Sequence, residues 1–335
     1  MQTTQATSTR QKLLRLASEY NILLVTLAMV LISTILKGTT FLSVSNIINI
    51  IRSNSVVGII AFGMAFVIIT GNIDLSVGAE MVAVAALAIT ATNLTNSAFV
   101  GILTAFVAGV GFSLFTGLIV TKGRVPSFIV TLGFQYIYRS VLTYALNGGG
   151  VTTRNEAYKA ISSTEILGFL PLQILYFFLM ALIYWYISRY TTLGRRIYAV
   201  GSNERAARLS GIKTDRIKIM AFVLLGIAIA VGAVAESSRM GSINSTSSGT
   251  SYELNAIAMV VIGGVAMEGG KGKLSNAMFG AFIFGIISNM LTLVGINTKL
   301  VNAVKGAIII VAVLLQRISF VRDGKGSGSR VAKAK

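Results

Sequence analysis

The 335-residue sequence contains no cysteine and no histidine, and only 12% of its residues are charged. Without thiol or imidazole side chains, the usual zinc and iron–sulfur sites have no ligands. Neither a Ser-His nor a Cys-His nucleophile can be assembled. Soluble domains carry roughly 25% charged residues, so the scarcity of charge also argues against a soluble protein. These absences, and the lack of a carboxylate cluster, disfavour a membrane enzyme.

The sequence is instead rich in hydrophobic residues, which form long apolar runs. Hydrophobic residues make up 54% of the chain, and the mean hydropathy is +0.78. The pattern predicts an all-α, polytopic membrane protein of about ten transmembrane helices. The expected spans are 20–36, 50–70, 75–93, 97–121, 127–146, 166–188, 217–236, 253–268, 274–294 and 300–316. They form a single transmembrane domain, 20–316, between a polar tail, 1–19, and a basic, disordered tail, 317–335.

Lysine and arginine are unevenly divided between the loops on the two sides of the membrane. If the N-terminus is cytoplasmic, 21 of the 29 basic residues fall in cytoplasmic segments and only 5 in external ones. This asymmetry follows the positive-inside rule and predicts that both termini are cytoplasmic. It also accounts for the net charge of +18 without a nucleic-acid partner.

The longest polar stretch is the predicted cytoplasmic loop 189–218, which holds eight basic residues. Its centre has the signals of a short helix, because Ser202 or Asn203 can cap free N–H groups and Gly211 suits a left-handed stop. Glu204 suits the positive end of the helix dipole. A helix of about eight residues cannot span a bilayer and is marginal alone in water. It therefore needs a docking surface outside the membrane; an ordinary basic loop at the membrane surface is the alternative.

A first polar interruption, IITGNIDLSVGAE, separates the second and third predicted spans. The joining residues are so few that we expect a tight hairpin at the cytoplasmic end, with Asp74 capping the third helix. Glu80 lies six residues further on, which is too far for a cap. A carboxylate at that depth costs several kcal/mol unless it faces a partner or water. Glu80 is therefore predicted to face the bundle interior or a subunit contact, with Arg139 as a candidate partner.

A second interruption, IGGVAMEGGKGKLSN, lies between the eighth and ninth predicted spans. Gly263 and Gly264 stand inside an apolar run, which favours close helix packing. Gly269 and Gly270 indicate either a helix break of the kind found along transport pathways or a flexible turn. The phosphate-loop spacing G-x-x-x-x-G-K-[ST] is not met, because Gly269 is followed by Gly270. ATP hydrolysis is therefore expected of another chain.

Two transport classes remain for such a protein. The membrane subunit of an ATP-driven importer would dock its loop helix on a cytoplasmic ATPase. An ion-coupled secondary carrier would have ionisable residues near mid-membrane and related halves. Here only Glu80 lies well inside a span, and the loop divides the spans six to four. The residues therefore rank the importer subunit above the carrier.

Five segments, in the order in which they occur along the chain, indicate a particular family. They are FLSVSNIINIIRSNSVVGIIAFGMAFVIITGNIDLSVG at 41–78, VGSNERAARLSGI at 200–212, YELNAIAMVVIGGVAMEGGKGKL at 252–274, NMLTLVGI at 289–296 and KGAIIIVAVLL at 305–315. Together they resemble bacterial ABC importer permeases of the ribose, xylose and galactose type. The family's motifs imply ATPase-coupling residues at Gly201, Asn203, Glu204, Ala206, Ala207, Ser210 and Gly211. They imply pathway or hairpin residues at Gly71, Asn72, Asp74, Ser76 and Gly78, to which we add Glu80.

The resemblance also implies partners and a mechanism. The permease would pair with a second copy or a relative, sit on a cytoplasmic ABC ATPase that binds ATP and magnesium, and receive solute from an extracytoplasmic binding protein. No cofactor, metal or catalytic residue is expected in this chain. The expected activity is import of a sugar or sugar-like solute across the plasma membrane by alternating access. Nucleosides, a signalling molecule and branched-chain amino acids are alternative solutes. Asn72 stands where the family has a second glycine, and Glu80 where it has a small or apolar residue.

Overall fold

Helices account for nearly all of the regular structure. The computed structural model describes residues 21–166, 168–297, 300–308, 310, 311 and 314, so the predicted tails 1–19 and 317–335 lie outside the described residues. The helices are α1 (Asn21–Leu42), α2 (Val44–Ile69), α3 (Val77–Thr95), α4 (Ala98–Lys122), α5 (Ser127–Ala145), α6 (Glu156–Ser163), α7 (Leu172–Tyr190), α8 (Thr192–Ser202), α9 (Glu204–Leu209), α10 (Thr214–Met240), α11 (Tyr252–Ile262) and α12 (Leu274–Leu293). Helical residues follow at 300–308. The strands are β1 (Gly150–Thr152), β2 (Glu165–Ile166), β3 (Leu170–Pro171) and β4 (Ser242–Asn244).

Seven of these helices are long and apolar enough to cross a membrane, namely α1, α2, α3, α4, α7, α10 and α12. Helices suit lipid because they satisfy their own backbone hydrogen bonds. The predicted span at 127–146 is helix α5, which has 19 residues but falls short of the others in hydropathy. The predicted span at 253–268 contains α11, whose 11 residues extend only about 16 Å. The multi-pass helical class is confirmed, whereas the count of ten spans stays a prediction.

Helix α2 lies at the centre of the bundle. All of its residues from Ser55 to Ile69 are buried, and it packs against α7, α10, α11 and α12. Small residues allow the closest helix contacts. Between α4 and α10, for example, a Cβ added to Gly226 would lie 2.5 Å from the carbonyl oxygen of Gly109. The core therefore depends on the close approach of helix backbones as well as on the packing of large side chains.

The chain segments between the helices gather at two opposite ends of the bundle. At one end, β1 and β4 form an antiparallel pair in which Val151 lies opposite Ile243, so the predicted external segments 147–165 and 237–252 lie together. At the other end, Lys122 Nζ lies 3.6 Å from Asp215 Oδ2. We call this second end, which includes residues 123–126, 191–213 and 263–273, the basic end. Its cytoplasmic location stays a prediction.

Candidate functional site

The predicted short helix in the polar loop is present as α9, at the basic end. Its six residues are fewer than the eight expected. Asn203 caps it, because its Oδ1 accepts the Ala206 N–H at 3.0 Å. Gly211 follows with φ +81°, and its N–H donates to the Arg208 carbonyl at 3.0 Å. Of the two predicted caps, Asn203 is therefore correct, and Ser202 instead ends the preceding helix.

That preceding helix, α8, was missed by the sequence reasoning. Thr191 caps it, with Oγ1 accepting the Gly194 N–H at 3.1 Å. Leu193, Ile197 and Val200 follow the i, i+4, i+7 spacing of an amphipathic helix, and Ile197 and Val200 are buried. The cap and the spacing together could have identified α8. The loop is thus a pair of consecutive helices attached to the bundle.

Helix α9 has an attached face and a free face. Ala207 is only 5% exposed and packs into the hydrophobic core. Glu204 accepts hydrogen bonds from Lys218 Nζ at 2.7 Å and Arg208 Nη2 at 3.1 Å. The bond from Lys218 is the main cause that lowers the pKa of Glu204 from its usual value. Leu209, by contrast, is 90% exposed. An apolar side chain so far from the core is available to a partner.

Three glycine-containing segments meet just behind this helix pair. The Gly270 N–H donates to the Ile69 carbonyl oxygen at 2.8 Å. A Cβ on Gly201 would collide with that same carbonyl oxygen and lie 2.7 Å from Gly270 N, while one on Gly269 would lie 3.0 Å from Gly71 N. Only glycine fits such approaches. We call residues 69–71, 201–202 and 269–270 the glycine junction.

The junction connects the three stretches that the sequence had singled out separately. It joins the C-terminus of α2, the end of α8 and the glycine turn before α12. Of the predicted residues, Gly71, Gly201, Gly269 and Gly270 come together there. Gly78 and Glu80 do not, because they lie within α3.

The link between α2 and α3 is not the tight hairpin that we expected. Residues 70–76 form a turn at Gly71, with φ +78°, followed by an irregular stretch. Asn72 does not have positive φ, so its tolerance of left-handed backbone is not used. Its amide instead donates to Thr70 Oγ1 at 3.1 Å. The expected cap is also wrong: Asp74 Oδ1 accepts the N–H and the hydroxyl of Ser76, at 2.8 and 2.6 Å, before α3 begins.

Helix α5 supplies hydrogen-bond partners to this irregular stretch. Ser127 Oγ accepts the Ile73 N–H, and Thr131 Oγ1 accepts the Leu75 N–H, both at 3.1 Å. Backbone N–H groups outside a helix need another hydrogen-bond acceptor where they are sheltered from water. The two hydroxyls therefore replace the hydrogen bonds that a continuous helix would make.

Glu80 faces the bundle interior, as expected, but not Arg139. Its side chain is fully buried, and its Oε1 accepts a hydrogen bond from Ser113 Oγ of α4 at 2.7 Å. Its Oε2 and the Oδ2 of Asp74 have no hydrogen-bond partner among the described residues. Both carboxyl groups are fully buried, and neither takes part in a salt bridge among the described residues. No group of three or more acidic residues in the described chain could hold a metal ion.

Arg139 instead supports a second irregular segment, residues 245–251. Its Nη1 donates to the carbonyl oxygens of Ser245 and Ser248, both at 2.9 Å. This segment packs tightly against α3, since a Cβ on Gly78 would lie 2.5 Å from the Gly249 carbonyl oxygen. The segment then leads into the short helix α11. Arg139 therefore donates to backbone carbonyl groups and does not form the expected ion pair with Glu80.

The remaining glycines divide between packing and turning. A Cβ on Gly263 would lie 2.6 Å from the Asn276 carbonyl oxygen, so close packing is confirmed there. Gly264 has φ +83° with open space around it, so of the two predicted roles, close packing or a helix break, it has the second. Its N–H donates to the Val261 carbonyl at 2.8 Å, after the end of α11.

Broken helices inside a membrane bundle, connected to a surface helix pair, are an arrangement of transport proteins rather than of membrane anchors. Residues 46–313 match the family described as the permease component of branched-chain amino acid transport systems. The chain belongs to this family of permeases. It is a multi-pass protein of the bacterial plasma membrane.

Individual relatives agree with this membership. The ribose import permease protein RbsC of Escherichia coli K12 is 35% identical over 319 residues, covering 93% of this chain and 98% of that protein. RbsC of Bacillus subtilis 168 is 36% identical, covering 86% and 89%. The xylose transport system permease protein XylH of Escherichia coli K12 is 31% identical, covering 86% and 88%. No solved structure matches the chain.

Proposed function

We propose that this chain is the membrane subunit of an ABC importer that moves a sugar or sugar-like solute by alternating access. A separate cytoplasmic ATPase binds ATP and magnesium and supplies the energy. The functional unit contains two permease chains, this one with a second copy or a relative, and an extracytoplasmic solute-binding protein delivers the solute. About ten spans and cytoplasmic termini complete this topology, in line with the positive-inside asymmetry.

The glycine junction is the observation that supports the coupling of this chain to a separate ATPase. Helix α9 presents the exposed Leu209 to the exterior, and its attached face holds Ala207 in the core. Directly behind it, Gly201 and Gly270 contact the last carbonyl of α2. A displacement of α8 and α9 by a partner is therefore transmitted by backbone contact to the central helix and to the irregular link 70–76. Gly201, Asn203, Glu204, Ala206, Ala207, Ser210 and Gly211 form the coupling element in this scheme.

The proposed solute class comes from the relatives rather than from the site. Two of them are named for ribose import and one for xylose transport, which favours a pentose, whereas the family description names branched-chain amino acids. A second candidate function is an ion-coupled carrier, favoured by the buried carboxyl groups of Asp74 and Glu80. In liposomes that contain this chain alone, an ion gradient would drive uptake by a carrier but not by an importer subunit.

The coupling proposal is tested with Leu209→Asp. Ala207 is unsuitable because a larger side chain would disrupt the core, whereas Leu209 is free of it. Burial of a leucine side chain is worth about 1.5–3 kcal/mol, or roughly one to two powers of ten in affinity. We therefore expect Leu209→Asp to weaken ATPase binding by this factor and to abolish solute uptake, while insertion and thermal stability are unchanged.

Lys213→Gln is the matched control, because it changes the charge by the same unit at an exposed position of the same end. It should leave ATPase binding and uptake near the parent values. Unchanged ATPase binding in Leu209→Asp would remove α9 as the docking element. Equal losses in both variants would show that charge, and not the leucine contact, matters.

A further inference from the structure

Helix α5 differs from every other long helix of the described chain. Eight described helices have at least 18 residues, and α5 alone among them is not apolar enough to be identified as a membrane span. Its sequence, SFIVTLGFQYIYRSVLTYA, places polar side chains along its whole length. A helix of 19 residues is still long enough to cross the hydrocarbon core. Its polar side chains therefore need contacts that plain lipid does not offer.

Ser127, Thr131 and Arg139 on the inward face of α5 have the partners described above, whereas the buried Tyr138 hydroxyl has none among the described residues. Ser127 and Thr131 accept the N–H groups of the irregular link 70–76. Arg139 binds two carbonyl groups of the segment 245–251. The Tyr138 ring stacks on Phe134, with ring centroids 5.4 Å apart. None of these contacts involves the opposite face.

The opposite face carries polar groups with no such explanation. Gly133, Tyr136, Ile137, Ser140 and Tyr144 follow the i, i+3, i+4, i+7, i+11 spacing of a single helical stripe, and all of them are exposed. Tyr136 is 67% exposed and Tyr144 is 87% exposed. Their hydroxyls and that of Ser140 make no hydrogen bond to other described residues. Nothing lies within 4 Å of a Cβ built on Gly133, so the stripe is open there.

Hydrocarbon is a poor environment for this stripe. Tyr136 is the central residue of α5, nine residues from either end, so its hydroxyl lies near mid-depth. Tyrosine is normally enriched at the membrane interface, where its hydroxyl reaches water. A hydroxyl without a hydrogen-bond partner is costly in an apolar medium. Ile137 of the stripe and the neighbouring Phe128, Ile129 and Val141 are exposed as well, so it is the hydroxyl groups of the stripe, and not its apolar members, that favour water and hydrogen-bonding solutes over lipid.

A neighbouring segment extends the same polar surface. Thr246, Ser247 and Thr250 are exposed, and they belong to the irregular segment that Arg139 attaches to α5 through Ser245 and Ser248. Irregular backbone within a membrane protein occurs where it is buried in protein or lines a water-filled cavity. The exposed hydroxyls of 246–250 fit the second case.

We propose that the Gly133–Tyr144 stripe of α5, together with residues 246–250, lines the aqueous route of the solute. The occupant is a small, uncharged, polyhydroxylated solute, because hydroxyl groups and tyrosine ring faces are the chemistry presented and the exposed stripe carries no charged side chain. This inference rests on the proposed function and deepens it by assigning the lining residues. Across the route, a second permease chain presents the facing wall.

The absence of native cysteine allows a direct test in the assembled transporter. Tyr136→Cys and Ser140→Cys are introduced singly and treated with a charged, membrane-impermeant thiol reagent. Val107→Cys is the matched control for Tyr136→Cys. Val107 of α4 is 67% exposed, like Tyr136, and each of the two lies nine residues from the terminus of its helix at the end of the bundle that contains β1 and β4. Leu103→Cys, five residues from that end, is the control for Ser140→Cys.

We expect both α5 variants to react at least about tenfold faster than their controls, because the reactive thiolate requires hydration. Modification should also block pentose uptake by the transporter, whereas treatment of the parent has no effect. Equal rates in α5 variants and controls would overturn the proposal. So would oxidative cross-linking of two Ser140→Cys chains without reagent access, because that result identifies a packed subunit interface.

The labelling rates do not depend on which solute is carried. If the parent transporter imports no pentose, yet the α5 variants react rapidly and the controls do not, the lining assignment stands and the solute class fails. If pentose uptake is intact but the α5 variants are unreactive, the solute class stands and the lining assignment is wrong.

Discussion

Substitution of Gly201 is the most direct perturbation of the glycine junction. A Cβ at this position would collide with the Ile69 carbonyl oxygen and lie 2.7 Å from Gly270 N. Both partners are backbone atoms joined by a 2.8 Å hydrogen bond, so neither can rotate away. In Gly201→Ala, the α8–α9 pair must therefore move away from α2.

Gly280→Ala is an unusually close control. Its Cβ would collide with the Met259 carbonyl oxygen and lie 2.8 Å from Gly263 N, which repeats the same steric problem between α11 and α12. Overpacking of this kind costs typically about 1–3 kcal/mol. The two variants should lose similar thermal stability, but only Gly201→Ala displaces the coupling element.

The assay compares solute-stimulated ATP hydrolysis and solute uptake in the reconstituted transporter, with thermal unfolding measured in parallel. We expect Gly201→Ala to keep basal ATP hydrolysis and lose most of its stimulation and uptake. Gly280→Ala should keep the parent's ratio of solute uptake to ATP hydrolysis, although its melting temperature is lower. An equal fall of coupling in both variants would refute the reasoning, because destabilisation alone would then explain the effect.

Two further predictions concern buried and surface carboxyl groups. Glu80→Gln keeps the size of the side chain and the oxygen that accepts the Ser113 hydrogen bond, so the free energy of unfolding should stay within about 1 kcal/mol of the parent and uptake should be unchanged. Loss of uptake at unchanged stability would show that Glu80 must ionise for function. Because the pKa of Glu204 is lowered, chiefly by the hydrogen bond from Lys218, its stabilising contribution is present above the ordinary glutamate pKa of about 4.3 and is lost as the pH falls through the lower, folded value. Limited proteolysis of the 205–213 segment should therefore accelerate on acidification in the parent but show little pH dependence in Glu204→Gln, and identical pH profiles would contradict the ion-pair assignment.

The parts of this fold that follow local rules could be predicted from the sequence. The apolar runs gave the long helices, and Asn203 and Gly211 placed the ends of α9 to within a few residues. Those signals act over four or five residues, through capping and left-handed backbone. The amphipathic spacing that marks α8 was also present, but the basic residues around it suggested a loop.

Contacts between distant segments could not be predicted in the same way. Nothing local indicates that Ile69, Gly201 and Gly270 meet, because their approach depends on how three helices pack. The same applies to Arg139, whose partners are backbone carbonyls more than one hundred residues away. Asp74 was expected to cap α3 because the short link suggested a turn, whereas the chain there is irregular and bonded to α5.

The pair of hydroxyls on α5 that hold the link 70–76 has a consequence for how the bundle moves. Ser127 and Thr131 are one helical turn apart, and each binds an alternate amide of the link. A small slide of α3 along α5 would break both hydrogen bonds. In the proposed alternating-access cycle these two helices therefore move together, and the route opens and closes at their boundaries with other helices.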